Sequence, residues 1–194
     1  MKKIVALFFF ISTILVGSSI NQDEKKAIHL LFQSKAPFLT YTEKLYILKS
    51  LNLSLSNNQK KLIIRDNDVT FDNINPTVVL DDLNKDGISE IIVYYGNSVY
   101  SGMVGQTMAI FIKNQNGEYV KNFDLGSIEY IKLKSSSHGF LDLQLGGPGF
   151  CRGNWKFDGQ QYSHFCNIED MKGGCDSVGN KCTESQLKQL FLNK

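Results

Sequence analysis

Short apolar or alternating runs, separated by turn residues, fill the chain from residue 61 to residue 166. The clearest of them are Glu90–Tyr95, Thr107–Lys113 and residues 140–145. Several such runs at close spacing are typical of antiparallel strands joined by short connections. This part of the sequence therefore predicts an antiparallel β-sheet, arranged as a sandwich or a partial barrel.

Helical spacing marks the segments on either side of these runs. Residues 21–34 and 42–51 carry apolar side chains three and four positions apart, and Thr42 is placed to cap the second of these helices. Near the C-terminus, Thr183 and Gln186 form a capping-box pattern before a short apolar stripe. The predicted fold class is α+β, mainly an antiparallel β-sheet with N-terminal helices and a short C-terminal helix.

The first residues have the order of segments found in a secretory signal peptide. Lys2 and Lys3 make a basic start, residues 4–16 are mainly apolar, and residues 17–19 are small. An uncleaved membrane anchor is the alternative, but an apolar run of 13 residues is short for a helix that spans a bilayer. We therefore expect a periplasmic or secreted protein that is not stably inserted in a membrane.

Signal cleavage divides the chain and removes its excess charge. We expect a signal peptide over residues 1–18, a helical segment over residues 19–58 and a β-rich domain over residues 59–194. The chain has 21 Lys and Arg against 19 Asp and Glu, so loss of the two N-terminal lysines lowers the formal charge from +2 to zero. A neutral chain lacks the basic surface on which nucleic-acid binding depends, and we predict no nucleic-acid partner.

Four cysteines, Cys151, Cys166, Cys175 and Cys182, lie in the last quarter of the chain. An even number in an exported chain predicts two disulfides, and three pairings are open. We favour Cys151–Cys166 with Cys175–Cys182, because each closes a short loop and a two-residue turn at Asp158-Gly159 places Cys151 opposite Cys166. A zinc site is the alternative, but no C-x2-C pair supports it.

Residues 82–90, with the sequence D-L-N-K-D-G-I-S-E, carry side-chain oxygens at regular intervals. Calcium takes about six to eight oxygen ligands, and the glycine of this segment permits a sharp bend. The sequence therefore predicts a calcium site formed by the side chains of Asp82, Asn84, Asp86 and Glu90 and the main-chain carbonyl of Ile88. The alternative is a polar turn without an ion, stabilised by hydrogen bonds of its Asp and Asn side chains.

The loop pattern also carries a family resemblance. An EF-hand requires an acidic residue at the twelfth position and a helix after the loop, whereas this chain has Val93 there, within a strand pattern. The motif D-x-N-x-D-G-x-x-E before a strand resembles the calcium loop of FG-GAP and VCBS-type repeats, which occur in integrin-like β-propellers and many exported bacterial proteins. The resemblance covers residues 77–96 and implies the same five calcium ligands. Since one copy is present, it implies a small exported β-rich domain and not a propeller.

The sequence contains no G-x-S-x-G, H-E-x-x-H or phosphate-binding glycine motif. We therefore predict that the protein is not an enzyme and that it binds another protein, as an inhibitor or immunity protein against a periplasmic or secreted toxin or cell-wall enzyme. The predicted contact residues are Tyr95, Tyr100, Ser101 and Met103, in a glycine-punctuated segment. Tyr and Gly are favoured in recognition loops.

Two other functions stay open at this point. One is an exported hydrolase whose active site is assembled from distant parts of the chain and carries no recognised motif, with the bend from Gly146 to Cys151 as a candidate part of it. A disulfide at Cys151 would remove its thiol as a nucleophile. The other is a carbohydrate-binding module of the cell envelope that uses Trp155, the sole tryptophan, together with the tyrosines.

Overall fold

The computed structural model describes residues 21–146 and 149–191, so the predicted signal peptide lies outside the described residues. The described helices are α1 (Gln22–Phe32), α2 (Tyr41–Ser50), α3 (Ser98–Ser101) and α4 (Glu184–Phe191), and a 3₁₀ turn covers Gly102–Val104. The described strands are β1 (Leu53–Leu55), β2 (Leu62–Asp66), β3 (Val69–Phe71), β4 (Thr77–Asp81), β5 (Glu90–Tyr95), β6 (Thr107–Lys113), β7 (Tyr119–Gly126), β8 (Glu129–Ser137), β9 (Phe140–Gly146), β10 (Cys151–Phe157) and β11 (Tyr162–Glu169). None of the described helices is long and apolar enough to cross a membrane.

The described strands form three antiparallel sheets. A small sheet has the order β1-β2-β3, the central sheet has the order β4-β5-β6-β7, and the outer sheet has the order β8-β9-β10-β11. Strands that follow each other in the chain are neighbours in each sheet, so short connections suffice. The predicted α+β fold, dominated by antiparallel β-structure, is confirmed, and over the described range the sheets are open and not closed into a barrel.

The central sheet is buried on both faces. Ile91, Val93 and Tyr95 of β5 belong to a core shared with α1, α2 and the small sheet, whereas Ile92 belongs to a second core shared with the outer sheet. The two four-stranded sheets therefore pack face to face, and a helical layer covers the far side of the central sheet. Burial on both faces explains why β5 is a continuous apolar run without alternation.

The opposite face of the outer sheet carries a much smaller apolar cluster, built around Leu133, Cys166 and Leu190 of α4. The predicted capping box of α4 is confirmed: the Thr183 N–H donates to Gln186 Oε1 at 2.9 Å, and the Gln186 N–H donates to Thr183 Oγ1 at 3.2 Å. With so little apolar area buried here, other interactions must hold this face together.

The N-terminus of α2 differs from the prediction. The cap is Thr40 and not Thr42, because Thr40 forms a complete capping box with Glu43. The Glu43 N–H donates to Thr40 Oγ1 at 3.2 Å, and the Thr40 N–H donates to Glu43 Oε2 at 2.8 Å. The reciprocal pair satisfies two helix-end donors, which Thr42 inside the first turn cannot do.

The turn between β10 and β11 is longer than predicted. The Asp158 N–H donates to the Gln161 carbonyl, and Phe157 pairs with Tyr162. The Asp158 side chain accepts the N–H groups of Gln160 and Gln161, each at 2.9 Å, and so closes a four-residue turn. The prediction of a two-residue turn was wrong, and the strand register changes with it.

A β-bulge between Asn154 and Trp155 shifts the register of the hairpin further. Beyond the bulge, Asn154 pairs with Cys166 and Cys151 pairs with Glu169. The two cysteines therefore do not face each other, and no local bridge joins them.

The four cysteines form two disulfides, as predicted, but the preferred pairing was wrong. The bonds are Cys151–Cys175 and Cys166–Cys182, with sequence separations of 24 and 16 residues. Each ties the segment after β11 back to one strand of the hairpin. Loops of this size contribute about 3 kcal/mol each in the loop-entropy model.

Candidate metal loop and recognition loop

Two candidate sites lie at opposite ends of β5. The β4–β5 loop, residues 82–89, precedes the strand, and the β5–β6 loop, residues 96–106, follows it. The three central β5 residues from Ile91 to Val93 are fully buried. Both loops are therefore attached to a rigid strand, the arrangement on which precisely positioned sites depend.

Side chains of the β4–β5 loop turn inward and bind its own main chain. Asp82 accepts the N–H groups of Asp86 and Gly87 at 3.2 and 3.0 Å, and Asn84 Oδ1 also accepts the Asp86 N–H, at 3.1 Å. Asp86 Oδ1 accepts the Ile88 N–H at 2.7 Å. Gly87 has φ = 85°, a conformation that favours glycine. The structure thus brings Asp82, Asn84 and Asp86 together, with the main chain of Ile88 beside them.

The ends of this loop are buried between the sheets. The side chain of Leu83 is fully buried, and its carbonyl accepts the N–H of Leu141 in β9 at 2.8 Å. Glu90 is 3% exposed, and its Oε2 accepts the Leu83 N–H at 2.6 Å. Burial is the main cause that raises the pKa of Glu90 to about 7. The charges of Asp86 and Asp82 add to it, while the Leu83 bond opposes it.

The hydrogen bonds of the β4–β5 loop close it without an ion. Within residues 21–146 and 149–191, no three His, Cys, Asp or Glu side chains are grouped so that they hold a metal ion. The donor set still suits a hard cation, since Asp82, Asp86 and Glu90 supply carboxylate oxygens and Asn84 supplies an amide oxygen. In the same described residues none of these three acids has a salt bridge to Lys, Arg or His.

The β5–β6 loop is also held by its own side chains. Asn97 Oδ1 accepts the N–H groups of Val99 and Tyr100, each at 3.0 Å, and Asn97 Nδ2 donates to the Asp72 carbonyl at 2.8 Å. Gly96 has φ = 91°, and a Cβ there would lie 2.4 Å from the Oγ of Ser101. A side chain at this position would require Ser101 to move, and the positive φ also favours glycine.

The four predicted contact residues are not equivalent in the structure. Tyr95 is 2% exposed, and its hydroxyl donates to Asp124 at 2.9 Å, so its assignment to a contact surface was wrong. Tyr100 packs against Tyr95 at a ring-centroid distance of 5.9 Å, and the Ser101 hydroxyl bonds to a neighbouring threonine. Met103 is 95% exposed. Of the four, Met103 alone is fully available to a partner.

Val99 is an exposed apolar residue of this loop that was not among the predicted contact residues. It is 78% exposed and lies, with Met103, on the outer side of the β5–β6 loop. The signal for it was the charge pattern: residues 91–112 contain no Asp, Glu, Lys, Arg or His in a chain that is 21% charged. Most of this stretch is core, and the loop that interrupts it is the part that reaches solvent.

The structure gives little support to the two alternative sites, the bend at residues 146–151 and the surface around Trp155. Cys151 is in a disulfide and cannot act as a nucleophile, and Gly147 and Pro148 of the predicted bend lie outside the described residues. Trp155 packs edge-on against Phe123, at 4.7 Å between ring centroids, and His164 lies 5.3 Å from it. These contacts leave only part of the indole to line a shallow groove of about 290 Å³.

No family model, no curated protein and no solved structure matches this chain.

Proposed function

We propose that this chain is an exported, calcium-binding domain that acts by binding a protein, as an inhibitor or immunity protein against a periplasmic or secreted toxin or enzyme. The observation that carries the proposal is the β5–β6 loop, in which Val99 and Met103 stand 78% and 95% exposed on an internally bonded loop. Large apolar side chains that project from a rigid, uncharged loop favour insertion into a concave apolar surface.

The rigidity of the loop supports this proposal energetically. Association loses roughly 0.5–1.5 kcal/mol for each flexible side chain that is immobilised, and loop ordering adds to that loss. The Asn97 bonds and the packing of Tyr100 fix the loop before any partner arrives. Most of the free energy gained by burying Val99 and Met103 then contributes to binding, because little is lost in ordering the loop.

The proposed periplasmic or secreted location rests on the disulfides. Both bonds link distant parts of the chain and stabilise a face with a small apolar core. Such bonds form and persist in oxidising compartments.

The proposed calcium site uses Asp82, Asn84, Asp86, the Ile88 carbonyl and Glu90. A bound calcium ion would supply the positive charge that these three acids lack in the described residues. Calorimetric titration of the protein with calcium should show one site, and Asp86→Asn should weaken it. Asp68→Asn, in the acidic β2–β3 turn, is the matched control and should leave it unchanged. Absence of calcium-dependent heat would contradict this part of the proposal.

A capture experiment with matched variants tests the binding surface. The chain from Ser19 onward is immobilised in oxidised form and exposed to periplasmic extract and culture medium of the producing cells. We expect one protein to be retained at stoichiometric yield by the parent chain and lost with Val99→Ser/Met103→Ser. Val69→Ser is the control, because Val69 is also exposed, at 53%, but lies on β3. Equal capture by all three proteins would exclude the β5–β6 loop as the contact surface.

A further inference from the structure

Asp142 of β9 is the most anomalous polar group of the described structure. Its side chain is completely buried, and neither carboxylate oxygen has a hydrogen-bond partner among the described residues. Buried charges are normally paired and hydrogen-bonded, since desolvation costs several kcal/mol for each ion. The arrangement around Asp142 therefore requires an explanation.

Lys156 of β10 and Asp142 of β9 lie one residue beyond the last pair of the β9–β10 ladder. That ladder ends with Asn154 paired to Gln144 and Trp155 paired to Leu143, so Lys156 and Asp142 are the next two residues in the same antiparallel register. Lys156 Nζ lies 3.8 Å from Asp142 Oδ2, beyond hydrogen-bond distance. All other ion pairs of the described residues are 2.9 Å or closer.

The Lys156 amino group has two further neighbours, although its side chain is 21% exposed. Nζ lies 4.2 Å from the centre of the Phe165 ring in β11, and it donates to Gln189 Oε1 of α4 at 3.4 Å. The next cross-strand pair on this face is an ordinary one, in which Gln144 Nε2 donates to Asn154 Oδ1 at 3.1 Å. The Lys156 amine is thus held beside the Asp142 carboxyl group by its position on β10, by the Phe165 ring and by α4. Within the described residues, Asp142 has no other partner.

We propose that Lys156 and Asp142 are joined by an intramolecular amide bond. In the reaction, a proton passes from Nζ to a carboxylate oxygen, and the neutral amine attacks Cγ. A Nζ–Cγ bond forms and a Cγ–O bond breaks. The departing oxygen leaves as water with two protons from Nζ, so that no oxidant or other reactant is required.

The bond would suit this part of the fold. It replaces the buried charge of Asp142 and the partly exposed charge of Lys156 by one neutral amide, which removes the desolvation cost of the buried carboxylate. It also links β9 to β10 covalently, in the sheet whose outer face has the small apolar cluster. The two disulfides attach β10 and β11 to the following segment, so a β9–β10 link would extend the covalent framework to a third strand.

Intact-mass measurement of the reduced, denatured protein tests this directly. Against the mass calculated from its determined N-terminus, we expect a deficit of one water molecule, and protease digestion should release the Asp142 and Lys156 peptides joined to each other. Lys156→Arg should show the full mass, because its guanidinium does not react. In Asp142→Asn any loss should be ammonia, because the leaving group changes.

The parent chain alone decides the question, since mass is read on unfolded protein and needs no folded variant. A full mass in the parent chain would overturn the proposal. A water deficit that persists in Lys156→Arg would also overturn it, because the loss would then come from another site.

Discussion

The β4–β5 loop and the β5–β6 loop are attached to the two ends of the same buried strand, and each is shaped by Asn or Asp side chains that accept main-chain N–H groups. In the first loop Asp82, Asn84 and Asp86 do this. In the second, Asn97 does it alone. The side chains that they present to solvent differ: the first loop exposes the Asp86 carboxylate beside Ile88, and the second exposes Val99 and Met103 without any charged residue.

The comparison shows that local shape and surface chemistry are set by different residues. Side-chain caps fix the path of both loops, because each cap satisfies amides that have no partner in a sheet. The residues between the caps are then free to differ. An acidic loop is suited to a cation, and an uncharged apolar loop is suited to a protein surface.

Alanine at the two glycines should give the largest difference between the loops. Gly87→Ala places a Cβ in open space and should cost about 1 kcal/mol of folding free energy, from backbone strain alone. Gly96→Ala adds a clash with Ser101 Oγ and should cost about 2–4 kcal/mol. Urea unfolding measures both, and equal losses would show that the β5–β6 loop adapts more easily than its packing implies.

Glu90→Gln should show how the charge at the end of the β4–β5 loop affects stability, because it removes the charge and keeps a side chain of nearly the same shape. Because burial raises the pKa of Glu90 to about 7, the carboxylate reduces stability progressively as pH rises from about 4.5 through 7. In chelator at pH 8 the variant should be more stable than the parent chain by roughly 1–2 kcal/mol, and calcium should stabilise it less. Thermal unfolding with and without calcium measures this. A variant less stable in chelator would mean that the hydrogen bond from the Leu83 N–H to the charged carboxylate outweighs the cost of burying that charge.

Asn97→Ala and Asn84→Ala compare the caps themselves. Loss of the Asn97 cap leaves two amides without their acceptor and should cost about 1 kcal/mol. Asn84→Ala should cost less than half of that, because the Asp86 amide keeps Asp82 as an acceptor. Chemical denaturation gives both values. Partner capture should fall only for Asn97→Ala. A fall for Asn84→Ala would show that the shape of the β4–β5 loop also affects binding by the β5–β6 loop.

The smallest effect concerns the base of the β4–β5 loop. Burial acts to raise the pKa of Asp81, but hydrogen bonds from Lys132 and Tyr130 and the Lys132 charge outweigh it and lower that pKa. The stability that Asp81 contributes is thus present above about pH 4 and lost as pH falls below it. Lys132→Gln should cost about 0.5 kcal/mol at pH 7 and nothing near pH 2. A cost independent of pH would indicate lost packing and not a lost charge pair.

Some features of both loops could be predicted from the sequence. The spacing of Asp82, Asn84 and Asp86 predicted side chains that converge within one turn, because all three lie within five residues. Met103, which was predicted as a contact residue, is 95% exposed, and its contact with a partner stays a prediction. The Thr40 and Glu43 capping box was also readable, since it is a local pattern, and Thr42 was preferred in error.

By itself the sequence determined the α+β class, most of the helices and strands and the presence of two disulfides, because periodicity, caps and cysteine number act over a few residues or need no geometry. It did not predict α3, or β1, which lies within the segment predicted as helical over residues 19–58. Tertiary structure decided the disulfide pairing, the burial of Tyr95 and the position of Lys156 across from Asp142. The disulfide pairing depends on the β10–β11 register, which a bulge at Asn154 and a longer turn at Asp158 changed. The burial of Tyr95 and the position of Lys156 depend on which sheets and strands lie next to each other. A strand alternates its faces at each residue, so a small error in register moves a side chain to a different partner or to the opposite face.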